Sequence, residues 1–231
     1  MKKLLLLLFL IFNTILMSST VKTEEFTCPI GGEKFKQLMA MSGYQAGTRT
    51  DLMPYGAIIA PWPIPQCPEN KLVMYKEKFT EKELEYLKEI IESKEYKEIP
   101  RDAPARYYLA KTYEMLNKID KESKPVGIQT IAYSYLQSTW VSSSVREDAL
   151  KKSLDYYKEI DSSDKYNKEE KLTAKMLIGE LSRLLGDFEN AEKVFSELKN
   201  SPEIKKNEYL KKVVNLEIKL TNEKNTDPQD I

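Results

Sequence analysis

From Thr80 to Asn222 the chain repeats one instruction: a polar start signal, apolar residues at intervals of three and four, then a short polar turn. Thr80-Glu81-Lys82-Glu83 has the S/T-x-x-E spacing of a capping box, in which a hydroxyl and a carboxylate satisfy the free amides of a helix start. Leu84, Leu87, Ile90 and Ile91 follow at helical spacing with charges between them. The same pattern predicts helices over 104–118, 124–141, 146–160, 168–185, 188–199 and 204–222. Ser144-Val145-Arg146-Glu147 and Asn167-Lys168-Glu169-Glu170 read as start signals, and Ser201-Pro202 sets an N-cap before a first-turn proline. No strand pattern interrupts the series. Helices of this length on short turns imply antiparallel neighbours, hence a bundle or a solenoid of helical hairpins.

Residues 174–202 favour the solenoid. The tetratricopeptide (TPR) pattern asks for a small residue where two helices cross, a turn glycine, then a small residue and an aromatic on the second helix. Gly179, Gly186, Ala191 and Phe195 fall at those spacings, and Pro202 closes the unit. A glycine inside a helix costs about 1 kcal/mol relative to alanine, so Gly179 implies close approach of a partner helix. Leu109-Ala110 with Tyr113, and Ala149 with Leu154 and Tyr157, resemble two weaker units. The expected fold is therefore mainly α, a TPR-like helical-hairpin array over 80–222, with a disordered charged tail over 223–231.

What precedes the array differs in kind. Lys2 and Lys3 lead an apolar run from Leu4 to Ile11, interrupted at Asn13-Thr14 and resumed at Ile15-Leu16-Met17. That is the layout of a signal peptide over residues 1–20, too short and too broken for a spanning helix. The expectation is an exported chain, periplasmic or secreted, with no stable membrane span after cleavage. Residues 21–79 hold Gly31, Gly32, Gly43, Gly47, Gly56 and Pro61-Trp62-Pro63-Ile64-Pro65, which predict an irregular segment or short strands with turns. Export places Cys28 and Cys67 where disulfides persist, so pairing of the two is the default expectation.

Cys28-Pro29-Ile30-Gly31-Gly32-Glu33-Lys34-Phe35, Arg49-Thr50-Asp51 and Cys67-Pro68-Glu69-Asn70 together resemble an uncharacterised bacterial domain-of-unknown-function family with two Cys-Pro-x-Cys pairs. The resemblance covers about residues 26–92 and implies a zinc-ribbon-like segment leading into TPR-like helices. Gly31 and Asn70 stand where the second cysteine of each pair belongs. Two thiolates with no histidine do not make a closed tetrahedral site, so zinc is not inherited, and a degenerate ribbon stapled by a disulfide is expected instead.

Histidine is absent, which removes the usual general base near neutral pH and any Ser-His-Asp or Cys-His arrangement. No phosphate loop or calcium loop is present either, so no enzyme, catalytic residue, metal or cofactor is expected. Lys+Arg and Asp+Glu number 36 each, which argues against a nucleic-acid partner. Most of the 14 tyrosines are expected in the core, while Trp62, stiffened by two prolines, is a candidate partner contact. The function expected is a non-enzymatic, exported scaffold that binds a protein or peptide in the cell envelope. The alternative is a metal-binding or thiol-redox-responsive protein using Cys28 and Cys67.

Overall fold

The computed structural model describes residues 19–121 and 124–231, so the predicted leader falls almost wholly outside the described residues. Two antiparallel hairpins come first: β1 (Thr20–Thr27) with β2 (Lys34–Ser42), and β3 (Tyr44–Thr48) with β4 (Pro54–Ala57). Helices follow in series. They are α1 (Glu81–Glu92), α2 (Lys94–Lys97), α3 (Ala105–Ile119), α4 (Ile128–Ser138), α5 (Arg146–Ser162), α6 (Lys168–Leu184), α7 (Phe188–Asn200), α8 (Pro202–Lys206) and α9 (Glu208–Asn222). From α3 to α7 each helix packs on its neighbours in sequence, and α7 also meets α9 across the short α8.

The start signals act largely as read. Thr80 forms the full capping box with Glu83, and Asn167 forms one with Glu170. Ser201 accepts from Ile204 N before Pro202. Ser144 does not cap: its hydroxyl and amide both donate to the Asp102 carboxylate, each at 2.7 Å, and α5 begins without a side-chain cap. The helix predicted over 124–141 is shorter at both ends. Asn117 pins Val126 outside the helix through a reciprocal pair of hydrogen bonds, and Ser138 and Thr139 turn their hydroxyls back onto Tyr135 O and Leu136 O. The helix predicted over 204–222 is divided because Asn207 caps a new one, accepting from Tyr209 N and Leu210 N.

The core runs as three linked clusters. The first joins Cys28, Cys67, Leu72 and Val73 to Leu87, Ile90, Tyr107 and Ile131, so the N-terminal segment is part of the helical core. The second fills the space among α4, α5 and α6, and the third lies among α7, α8 and α9. Neighbouring residues of one helix serve different clusters: Ile131 and Tyr135 belong to the first, Ala132 and Leu136 to the second. Tyr107, Tyr108, Tyr135 and Tyr157 are buried as expected, and Tyr107 packs edge-on against Tyr135 at 5.6 Å.

The tail departs from expectation. Residues 225–231 lie against the body instead of being free: Thr50 N donates to Gln229 O at 2.8 Å, Ile231 N donates to Thr48 O at 3.0 Å, and Arg49 bridges Asp230 in antiparallel fashion. Polar composition misleads there, because main-chain bonds hold the segment and composition does not report them.

Gly179 of α6 sits where a Cβ would come within 2.6 Å of the Phe195 ring on α7. Gly179→Ala is expected to cost about 1–3 kcal/mol through overpacking, opposite in sign to the usual gain of alanine in a helix. Chemical denaturation checks the sign, and Phe195→Leu in the same chain should recover part of the loss.

Candidate functional site

Every residue from Leu177 to Leu184 is buried, so the C-terminal half of α6 is enclosed on all sides. Two of those residues are charged, Glu180 and Arg183, three apart on one face. A charge so placed needs partners on every polar atom. Arg183 Nε donates to Glu180 Oε2 and to Glu217 Oε2 of α9, both at 2.9 Å. Its Nη2 donates to Glu180 Oε2 at 2.6 Å and to Thr50 Oγ1 at 3.2 Å. Its Nη1 donates to the carbonyls of Asn225 at 2.6 Å and Asp227 at 3.1 Å. One side chain thus joins the β3–β4 loop, α6, α9 and the tail.

Two carboxylates face that single guanidinium, which would leave one negative charge in a dry interior. Burial pushes both carboxyls up, and the neighbouring Glu180 charge adds to the effect on Glu217, which reaches about 9. Glu217 therefore keeps its proton at neutral pH beside Glu180, whose Oε1 is buried without a hydrogen-bond partner. The cluster is electrically closed with that one proton in place.

The loop between β3 and β4 reaches the same seam. Asp51 takes two hydrogen bonds from Arg49, at 3.2 and 2.8 Å, and a third from Met53 N at 3.1 Å. Trp140 Nε1 donates to Asp51 O at 3.2 Å. This clamp holds Leu52 in the left-handed region at φ 65° and presents it to the helices. On one side of Leu52 is a cavity of about 370 Å³, whose walls include Thr130 and Tyr133 of α4, Tyr157 of α5 and Leu177 of α6. On the other is a mainly apolar cavity of about 180 Å³ reaching Met176, Phe195, Leu210, Val213 and Ile231. Gln129 Nε2 on α4 bonds Glu170 Oε1 on α6 at 3.0 Å beside the first cavity.

Residues singled out in the sequence lie in three other places. Gly179, Ala191 and Phe195 meet at the α6–α7 crossing, and Gly186 (φ 79°) makes the turn between those helices. Trp62 is 40% exposed, and its carbonyl accepts from Arg106 Nη2 at 2.8 Å, away from the Arg183 seam. Cys28 and Cys67 lie at disulfide distance, 2.16 Å between sulfurs. The two cysteines occupy matching turns. Cys28 N donates to Glu33 O and Gly32 N to Cys28 O; Cys67 N donates to Leu72 O and Lys71 N to Cys67 O. Gly32 and Lys71, at the same place in each turn, both have positive φ, 71° and 61°. Asn70 joins the turns, with Nδ2 donating to Ile30 O at 3.0 Å and lying 3.5 Å from Cys28 Sγ. Among the described residues no group of three or more cysteine and carboxylate side chains converges as a metal set would. Arg183, Glu180 and Glu217 were not singled out in the sequence. The available signal was a charged pair inside an otherwise apolar helical stretch, Leu177 to Leu185.

A raised acid binds a proton in the folded chain that it loses on unfolding. Its contribution to stability is therefore whole below about pH 4.5 and is lost as pH rises toward about 9, where Glu217 ionises. Glu217→Gln keeps a donor for Glu180 and an acceptor for Arg183 without the titration. The variant's melting temperature is expected to fall less than that of the parent chain between pH 6 and pH 9.5. Parallel curves in a pH series of thermal melts would refute the assignment.

The model of one protein family matches residues 21–219, spanning both hairpins and all of the helices up to most of α9. No curated protein and no solved structure matches the chain. The match extends over far more than half of the sequence, so this chain belongs to the family described as an uncharacterized protein conserved in bacteria (DUF2225).

Proposed function

We propose that the chain is a non-enzymatic, exported helical-repeat scaffold of the cell envelope that binds protein or peptide segments on the face lined by α4, α6 and α9. In this reading α6 with α7 is a TPR-like hairpin, supported by the Gly179–Phe195 approach and the Gly186 turn. The observation that carries it is that this face already holds non-helical polypeptide: the Arg49–Met53 turn and residues 225–231 lie against it, with a cavity of about 370 Å³ still open beside Leu52. Repeat arrays generally hold ligands along one such face. The twin cysteine turns support descent from a four-cysteine ribbon, and their pairing suits an oxidising compartment.

The thiol-switch and metal readings are weaker because the cysteines are only 2% and 0% exposed, beyond easy reach of a thiol or a metal ion. Iodoacetamide treatment of the native protein should leave both sulfurs unmodified until reductant and denaturant are added together. Alkylatable thiols with one zinc per chain would favour the metal reading.

The scaffold reading is tested by affinity isolation from envelope fractions with three baits. A stoichiometric partner should be retained by the parent chain and by Lys193→Glu on exposed α7, and lost with Tyr133→Asp, which charges the wall of the larger cavity. Equal retention by all three would reject this face as the binding surface.

A further inference from the structure

The hold on residues 225–231 has an unusual division of labour. Asn225 O and Asp227 O accept from Arg183, Gln229 O accepts from Thr50 N, Gln229 N donates to Thr50 Oγ1 at 3.1 Å, and Ile231 N donates to Thr48 O. Every one of these contacts uses a main-chain atom of the tail. The tail's own polar side chains bond within the segment, Asn225 Oδ1 to Asp227 N at 2.7 Å and Gln229 Nε2 to Asp227 O at 3.4 Å. Main-chain pairing of this kind is strand addition, which gives affinity without fixing sequence. Selectivity then rests on one position, Ile231, whose side chain reaches the apolar cavity shared by α6, α7 and α9. About 180 Å³ remains open there, so Ile231 does not fill it.

The junction to α9 adds to this. Lys224 takes φ 51° so that Asn225 N can bond Leu220 O and Lys224 N can bond Thr221 O, closing the helix. A lysine in that region is strained.

We propose that residues 225–231 are a displaceable self-ligand, and that the site they cover takes an extended peptide of a partner protein. That peptide would add as a strand beside Thr48–Thr50, offer main-chain carbonyls two residues apart to Arg183, and seat an apolar side chain four residues beyond the second carbonyl in the α6–α9 cavity. This rests on the scaffold reading and deepens it by naming the ligand's form: extended, apolar at one place, and in competition with the chain's own tail. The competitor with the larger apolar side chain wins the cavity.

Two measurements test it. In hydrogen exchange on the full chain, the Thr50 and Ile231 amides should exchange about 100-fold or more faster than Leu181 and Phe195, because the tail opens without the core. Exchange of all four at one rate would overturn the proposal. A chain ending at Lys224 should bind a fluorescein-labelled peptide of residues 225–231 saturably, while the full chain should not. Ile231→Asp in the peptide should weaken binding by at least about tenfold, as expected for a charge placed in an apolar cavity. A folded truncated chain that ignores the peptide overturns the proposal. If truncation prevents folding, the full chain carrying Ile231→Asp replaces it as receptor, with the same two outcomes. Partner capture sensitive to Tyr133→Asp depends on the other cavity, so its survival alongside failed peptide binding would sink this inference and leave the scaffold reading standing.

Discussion

A guanidinium in a dry interior must be met on all sides or not buried at all, and Arg183 is the point where this fold accepts that condition. The helix that carries it is enclosed from Leu177 to Leu184, so while residues 225–231 are in place water does not substitute for missing partners. The partners come from positions far apart in sequence: Thr50 in the second hairpin, Glu217 in α9, and the carbonyls of Asn225 and Asp227. Removing one partner from a buried charge of this sort typically costs about 3–5 kcal/mol, comparable with the whole stability of many domains. Placement of the hairpin loop, the last helix and the tail is accordingly one problem with one solution.

The opposite end of the molecule solves a similar problem with covalent chemistry. The cysteine turns are small and rich in glycine and proline, with little apolar surface of their own. Pairing Cys28 to Cys67 closes a loop spanning 39 positions, worth about 4 kcal/mol of chain entropy in the simplest treatment. The pair then sits in the same cluster as Leu87, Ile90 and Tyr107, so α1 and α3 pack on a covalently closed platform. From that platform the β3–β4 hairpin extends toward α4 and α6, where the Arg49–Asp51 clamp aims Leu52 between the two cavities. Asn70 ties the two turns together, donating to Ile30 O in the first while accepting from Leu72 N in its own.

Much of the helical half was legible in the residues. Capping at Thr80 and Asn167 is local chemistry, as is the first-turn Pro202, and Gly179 announced a close crossing because nothing else justifies glycine there. Ser144 misled because Asp102, 42 positions earlier, competes for its hydroxyl, and no local pattern carries that information. The Arg183 seam was hidden for the same reason. Glu180 and Arg183 at i and i+3 look like an ordinary exposed pair, and only the unbroken apolar surroundings hint that they face inward. The tail was misread because its order comes from atoms every residue possesses. Side-chain composition predicts disorder where side chains must do the holding, and here they do not.

Linear arrays of helical hairpins usually grow by nearest-neighbour packing, each unit resting on the one before. This chain has contacts of much longer range, from Thr50 to Arg183 across 133 positions and from Thr50 to Gln229 across 179. Such closures raise contact order and slow the last step of assembly. They also give synthesis a direction. As the polypeptide emerges from the ribosome or from a translocation channel, α6 is complete some forty residues before Asn225 and Asp227 appear. Throughout that interval Arg183 lacks two of its acceptors and must remain open to water. The nascent chain is thus held short of its dry, locked state until Asn225 and Asp227 arrive, and whatever extended segment meets the open seam first competes with residues 225–231.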